Sequence, residues 1–440
     1  MRLDVNRFYR ACNPTKTLDK GKSKDVQLYV DFSSVRGGKI IDTLTRRISR
    51  CDVNESCCQL FTGHIGCGKS TELLALKANL QRKGFYVVYF DSSVSLDLAD
   101  VNVTDILLAI THEVVQSLKA NRITFKSGLF KDLLGGIQQL FPSIDLDIKT
   151  EVEICLGIAK IIAQTKDSPT LHNQLKQYLE PRITSLLNAI NQDILIPAKK
   201  KLTDEGKKGL VVIIDNLEKM DNTLRTGDYT QAEYLFVHRG DKLKQLNCHT
   251  IYTMPLVLRY SDSFTNLTDL FGQSPGNLPM VPVGLQDGSE YDEGVRLLQE
   301  MVMKRAFPGV SWEQSKGLIN LVFDNADTFR RLCLVSGGHV RNLLRLLCSC
   351  MDIEEPPLSR ECIEKVIKRE RNNCMFLDDK EWNLLRQIVK QKNLGGNRQD
   401  QEEYQRFIRH LLVFEYYLDD ESWFNVNPIL IERKEIKNHL

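Results

Sequence analysis

The sequence predicts an α/β fold, a parallel sheet followed by helical modules, and three observations carry that prediction. Short β-rich runs alternate with helical stretches as far as Pro282. A glycine-rich loop, GHIGCGKS, lies between the first such run and a good helix former, TELLALKANLQRK. After the Gly- and Pro-rich segment GQSPGNLPMVPVG the pattern turns helical and ends in a hairpin.

Composition narrows the class. The chain has 440 residues, enough for several domains at roughly 100–200 residues each. With 42% hydrophobic and 26% charged residues it is neither collagen-like, coiled-coil nor wholly disordered. No apolar run approaches the roughly 18–20 residues of a membrane helix. The opening MRLDVNRFYRACNPT lacks the apolar stretch of a signal peptide. Lys+Arg 59 against Asp+Glu 57 leaves nucleic-acid binding to be argued from local patches alone. The 12 cysteines include the adjacent Cys57 and Cys58 but no CxxC or CxxxC pair, which argues against zinc and for buried or free thiols in a reducing cytosol. A soluble, cytoplasmic, multidomain protein without membrane contact is expected.

Residues 1–27 are basic and irregular, read either as a solvated arm or as an electrostatic contact to a partner. Regular structure is expected from LYVDF, opening a core over residues 28–283 with strands at 59–63, 85–91, 210–215 and 249–255. The interval 120–209 is too long for a simple crossover. It holds Ile144, Leu146, Ile148, Val152 and Ile154 at strand period, then a long helical stretch. It reads as an insertion, either a partner-binding element or a structural elaboration. Residues 284–355 form a helical lid, bounded by Pro356-Pro357. Over residues 356–440, helical segments at 359–373, 378–392 and 401–412 precede VFEYYL and WFNVNP, joined by an acidic turn. Three helices and a hairpin make a winged helix.

The loop Gly63-His64-Ile65-Gly66-Cys67-Gly68-Lys69-Ser70 matches G-x-x-x-x-G-K-[ST] in strand–loop–helix context, and Thr71 continues into the helix. Its glycines let backbone N–H groups curl around phosphates, and the helix N-terminus adds the positive end of a dipole. Lys69 is expected at the β- and γ-phosphates of ATP and Ser70 on Mg²⁺. The chain is therefore read as a P-loop nucleotide-binding protein. GLVVIIDNLEKMD supplies a buried strand ending in Asp215, the expected Mg²⁺ partner. Asn216 follows, and Glu218 either orients attacking water or caps the next turn; in the second case ATP is bound and hydrolysed slowly or not at all. Cys67 lies inside the loop, where bound phosphate is expected to bury its thiol, and His64 either meets phosphate or faces solvent.

With these motifs in order, the chain resembles the AAA+ and STAND branch of P-loop ATPases, and within it initiator-type (origin-recognition-like) AAA+ proteins and prokaryotic STAND ATPases. The resemblance implies that Val35 and Arg36, in VDFSSVRGGKII, contact the base. It implies that Thr253, in HTIYTMPLVLRY, lies near the γ-phosphate as sensor 1. SGGHVRNLLRLL resembles a sensor-2 helix, which makes Arg341 the lid arginine that reads the γ-phosphate, with Arg345 on the same face. Arg225, Arg239 and Arg259 are the candidates for an intersubunit finger, Arg259 first. The implied function is an ATP-driven molecular switch that forms a homo-oligomer and activates a separate effector protein, in a prokaryotic (antiviral) defence setting. A DNA-loading ATPase and a non-hydrolysing, ATP-bound scaffold are the alternatives. Nucleic acid is not favoured: Glu402, Glu403 and the turn Asp419-Asp420-Glu421 would face phosphates, only partly offset by Lys390, Lys392, Arg398, Arg406 and Arg409.

Overall fold

The four apolar runs become strands. The computed structural model describes residues 2–52, 55–121, 128–140, 151–221, 229–373, 375–395 and 398–437. Here the runs form β1 (Cys58–Gly63), β2 (Tyr86–Asp91), β3 (Leu210–Asp215) and β4 (His249–Thr253). β3 is buried at every position, as expected of a central strand covered on both faces. β5 (Gly276–Leu278) completes a five-stranded sheet of order β2-β3-β4-β1-β5. This short strand lies inside the Gly- and Pro-rich segment GQSPGNLPMVPVG, which showed no strand pattern of its own. β1 to β4 pair in parallel, so their carboxyl ends share one edge, where open α/β sheets take their ligands. The register sets Thr253 level with Phe61, near the end of β1, and Asp91 level with Asp215.

The chain divides into two units. One comprises Ile41–Thr62 and Leu76–Gly276. Its core joins Leu60, Val88, Val212 and Ile214 of the sheet to Ile106, Leu107 and Ile110 of the helix Val103–Ala120, started by the reciprocal cap of Asn102 and Asp105. The same core takes in Phe130, Ile158, Ile161, Leu175 and Leu186, so the expected insertion is built into the sheet's own core. That favours the structural reading of residues 120–209. The strand-period run corrects differently. Ile144, Leu146 and Ile148 lie outside the described residues, while Val152 and Ile154 fall in the helix Glu151–Asp167. Ile158 and Ile161, one helical turn apart, bury that helix and override the local alternation.

The other unit comprises Met1–Ile40, Gly63–Ala75 and Asn277–Leu440. It corrects the expected N-terminal arm. Asp4 caps a helix, Val5–Ala11, and Phe8 and Cys12, four residues apart on one face, are fully buried in the core. Arg7 Nη2 donates to the Ala306 carbonyl at 3.2 Å. The many cations of residues 1–27 conceal this apolar stripe from a composition reading. LYVDF forms no strand; Val30 and Phe32 enter the same core and a short turn, Ser33–Val35, follows. The boundary at 355/356 is corrected as well, because the helix Arg360–Asn372 buries Ile363, Val366 and Ile367 in one core with Leu343 and Leu347 of the helix Val340–Met351. Of the three helices assigned to the winged helix, Asp379–Gln391 and Gln401–Arg409 pack on the hairpin of β6 (Val413–Leu418) and β7 (Glu421–Val426). Asp419 and Asp420 close that hairpin, both at positive φ, which matches the right-handed twist of the strands. Among the described residues, no helix is long and apolar enough to cross a membrane.

Candidate nucleotide site

The loop between β1 and the helix Lys69–Arg82 has the backbone that its glycines permit. Gly68 lies at φ 108°, and a Cβ built there would meet nothing within 4 Å, so this side of the loop is open to a ligand. Gly66, at φ 87°, is the opposite case: a Cβ would sit 2.7 Å from the His339 ring. Only glycine lets the lid helix come so near. The first turn of the helix leaves backbone N–H groups at Lys69, Ser70 and Thr71 with no intrahelical acceptor. The Lys69 side chain is buried and its Nζ donates to the Gly63 and His64 carbonyls, each at 2.9 Å. A buried ammonium needs such partners, and phosphate oxygens are stronger acceptors than the carbonyls now in use. The loop therefore fits a triphosphate.

The surrounding side chains brace the loop. Arg36 is buried and donates through Nε to Pro279 O (2.7 Å) and through Nη2 to Cys67 O (2.9 Å); Val35 is fully buried in the core. Neither offers an exposed surface in this conformation. Cys67 is buried against Leu278, so protein, not phosphate, covers its thiol. Thr71 Oγ1 accepts from Leu18 N at 3.3 Å, while Ile65 and Ser70 are half-buried. His64 departs from the solvent-facing expectation: it is buried, and its Nε2 accepts from Glu415 N at 2.9 Å. Burial, with the charges of His339 and Lys69, holds its pKa well below the ordinary value.

The lid helix Val340–Met351 meets the loop through its first residues. His339 caps the helix, its Nδ1 accepting from Asn342 N at 2.9 Å, which assigns the proton to Nε2 and makes it the donor to Ile65 O at 2.8 Å. Arg341 N donates to Gly66 O at 3.3 Å. The Arg341 guanidinium makes no hydrogen bond or ion pair among the described residues, whereas Arg345 pairs with Glu370 at 2.9 Å. Burial depresses the His339 pKa to about 4. Its contribution to stability is full above the unfolded value of about 6.5 and is lost as pH falls towards about 4. The loss is on the order of 3 kcal/mol. Urea unfolding between pH 7.5 and 4 should record it, and His339→Gln should flatten that component; an unchanged pH slope in the variant would remove the assignment.

At the carboxyl ends of β3 and β4, Asp215 is fully buried and held on both oxygens: Tyr89 Oη donates to Oδ2 and Asn216 N to Oδ1, each at 2.7 Å. Ser92 Oγ donates to the Asp215 carbonyl at 2.7 Å. Asn216 adopts the left-handed conformation, φ 67°, a strain that asparagine tolerates better than most residues. It turns the chain so that Glu218, also buried, lies in the turn Leu217–Lys219. Thr253 Oγ1 accepts from Leu217 N at 2.9 Å and so fixes this turn. Of the finger candidates, Arg239 bonds Tyr234 Oη (3.4 Å), Arg259 lies over the Phe264 ring, and Arg225 falls outside the described residues.

Sequence reasoning missed Tyr89 and His339. Tyr89 is a phenol in an otherwise apolar strand, and a buried Tyr hydroxyl needs a partner. His339 occupies the cap position immediately before a recognisable helix. Both signals were available locally. The contacts of Glu415 with His64 were not, because nothing near either residue points to the other.

No family model matches the sequence, and no curated protein matches it. Solved structures similar to it include the ORC2 protein of Aeropyrum pernix, in ADPNP–ADP complexes (12% identity, 99% of this chain and 97% of that one, TM-score 0.44). Another is Cdc6p of Pyrobaculum aerophilum (13%, 100% of both chains, TM-score 0.37). A third is the Walker-type ATPase PABY2304 of Pyrococcus abyssi (11%, 92% and 98%, TM-score 0.40). Likeness at this level carries no residue roles or activity to this chain; the P-loop fold stands on its own strand order and loop.

Proposed function

We propose that this chain is an ATP-binding molecular switch. The observation that carries the reading is a complete phosphate loop whose lysine is held by loop carbonyls, with the backbone of a lid helix bonded to Gly66. Loop amides, Lys69 and the helix N-terminus take the phosphates, and Ser70 and Asp215 are the residues proposed to hold Mg²⁺. Mg²⁺ would neutralise charge on the β- and γ-phosphates. Arg341, in the first turn of the lid helix, supplies a guanidinium for the γ-phosphate. The base contacts assigned to Val35 and Arg36 would require both, buried here, to become exposed; Thr253 serves as the sensor at the strand end, and Glu218 orients water for hydrolysis. Assembly into a homo-oligomer, a separate effector and a defence setting belong to the same proposal and rest on the sequence resemblance. The loading of nucleic acid is less favoured, since the acidic turn Asp419-Asp420 remains at the hairpin tip.

Arg341 gives the test. A charge-assisted bond to phosphate is worth roughly 1.5–3 kcal/mol, or about 10- to 150-fold in affinity. Arg341→Ala should therefore bind ADP as the wild type does and lose ATP affinity by about that factor. Calorimetric titration with each nucleotide in Mg²⁺ measures both. Equal ATP affinity in a folded Arg341→Ala variant would contradict the role given to the lid.

A further inference from the structure

Strand β6 has a paired edge towards β7 and an outer edge that a two-stranded hairpin ordinarily leaves open. Here the outer edge is used. Glu415 N donates to His64 Nε2 at 2.9 Å, and Glu415 O accepts from Met280 N at 3.0 Å. The Glu415 side chain, buried, accepts from Asn277 Nδ2 at 2.9 Å. On either side of it, Phe414 and Tyr416 share the other face of the strand. The Phe414 ring lies edge-on to His64, centroids 5.9 Å apart, and stacks on His339 at 5.7 Å with planes 21° apart. Tyr416 Oη donates to Gly337 O at 2.8 Å. Three consecutive residues of β6 thus grip the second residue of the phosphate loop, the cap of the lid helix and the turn before that cap.

We propose that β6 is a working part of the phosphate site: Phe414 and the Glu415 amide position the loop by holding His64 and His339 on one ring. The inference rests on the ATP-binding reading and adds a regulatory route to it. His64 Nε2 has one lone pair, and the Glu415 amide occupies it. When the Lys69 ammonium leaves the Gly63 and His64 carbonyls for phosphate, the loop backbone at His64 loses one partner and keeps two, the bond from Cys67 N at 3.2 Å and the β6 contact to its ring. Phe414 couples that restraint to the lid, since displacing its ring unstacks His339, whose Nε2–H holds Ile65. By linkage, nucleotide that orders the loop tightens the β6 contact, and loosening that contact weakens nucleotide binding by the same factor.

Hydrogen exchange on the full-length protein, with and without ATP and Mg²⁺, provides the test. ATP should slow exchange at the Glu415 amide about tenfold or more. Phe414→Leu, which keeps an apolar side chain but loses the ring, should weaken ATP binding about tenfold; Glu421→Gln, exposed on β7, should leave it unchanged. An exchange rate at Glu415 indifferent to ATP would overturn the inference, whether or not Phe414→Leu folds. Wild-type ATP affinity in a folded Phe414→Leu variant would also overturn it. Failure of the wild type to bind ATP at all would instead bring down the nucleotide reading, and the inference with it.

Discussion

Lys69→Ala should abolish measurable ATP binding, a loss of about 100-fold or more. The wild-type ammonium is buried with two carbonyl partners from the loop, so it is desolvated before any ligand arrives. Exchanging carbonyl oxygens for phosphate oxygens converts neutral acceptors into charged ones, and each charge-assisted bond is worth roughly 1.5–3 kcal/mol. Removing the ammonium forfeits those bonds and leaves a triphosphate with less compensating charge. It also unties the Gly63 and His64 carbonyls in the free protein, so a melting profile must accompany the titration. Lys69→Met keeps most of the buried stem and should fail to bind in the same way. Undiminished affinity in either folded variant would move the site elsewhere.

The second large effect concerns hydrolysis. Glu218→Gln should retain ATP affinity and lose turnover by about 100-fold or more, the scale of a positioned general base. The turn that carries Glu218 is fixed by the left-handed Asn216 and by Thr253, so the glutamine should occupy the same place. Asp215→Asn should act differently, raising the Mg²⁺ concentration needed for activity, because both of its oxygens are already oriented by Tyr89 and the Asn216 amide. Steady-state phosphate release across a Mg²⁺ series separates the two. Unchanged turnover in Glu218→Gln would hand the role to another group. A wild type that binds ATP and never releases phosphate would favour the scaffold reading.

Legibility in the sequence followed the range of the interactions. β3 was readable to the residue because burial on both faces demands an unbroken apolar run, and LVVIID provides one. The phosphate loop was readable because its chemistry lies within one contiguous stretch. The N-terminal helix was not, since its stripe of Phe8 and Cys12 is short and set among cations. The boundary at 355/356 failed for another reason: two prolines mark a bend in the chain, but burial of Ile363 and Ile367 with Leu343 and Leu347 decides which helices share a core. The loop residues and Arg341 were assigned by motif, and the Arg341 amide does bond Gly66 O. His339, Phe414 and the Glu415 amide are separated from the loop by hundreds of residues, and only the folded chain places them together.

The central claim is that the lid helix reads the phosphates held by the loop, through Arg341 and the backbone bond from its amide to Gly66. Hydrogen exchange at the Arg341 amide, measured without nucleotide, with ADP and with ATP in Mg²⁺, tests it most directly. The account predicts the slowest exchange in ATP, an intermediate rate in ADP and the fastest without nucleotide, with the difference between ATP and ADP lost in Glu218-competent protein only once ATP has been turned over. The same exchange rate in all three states would contradict it.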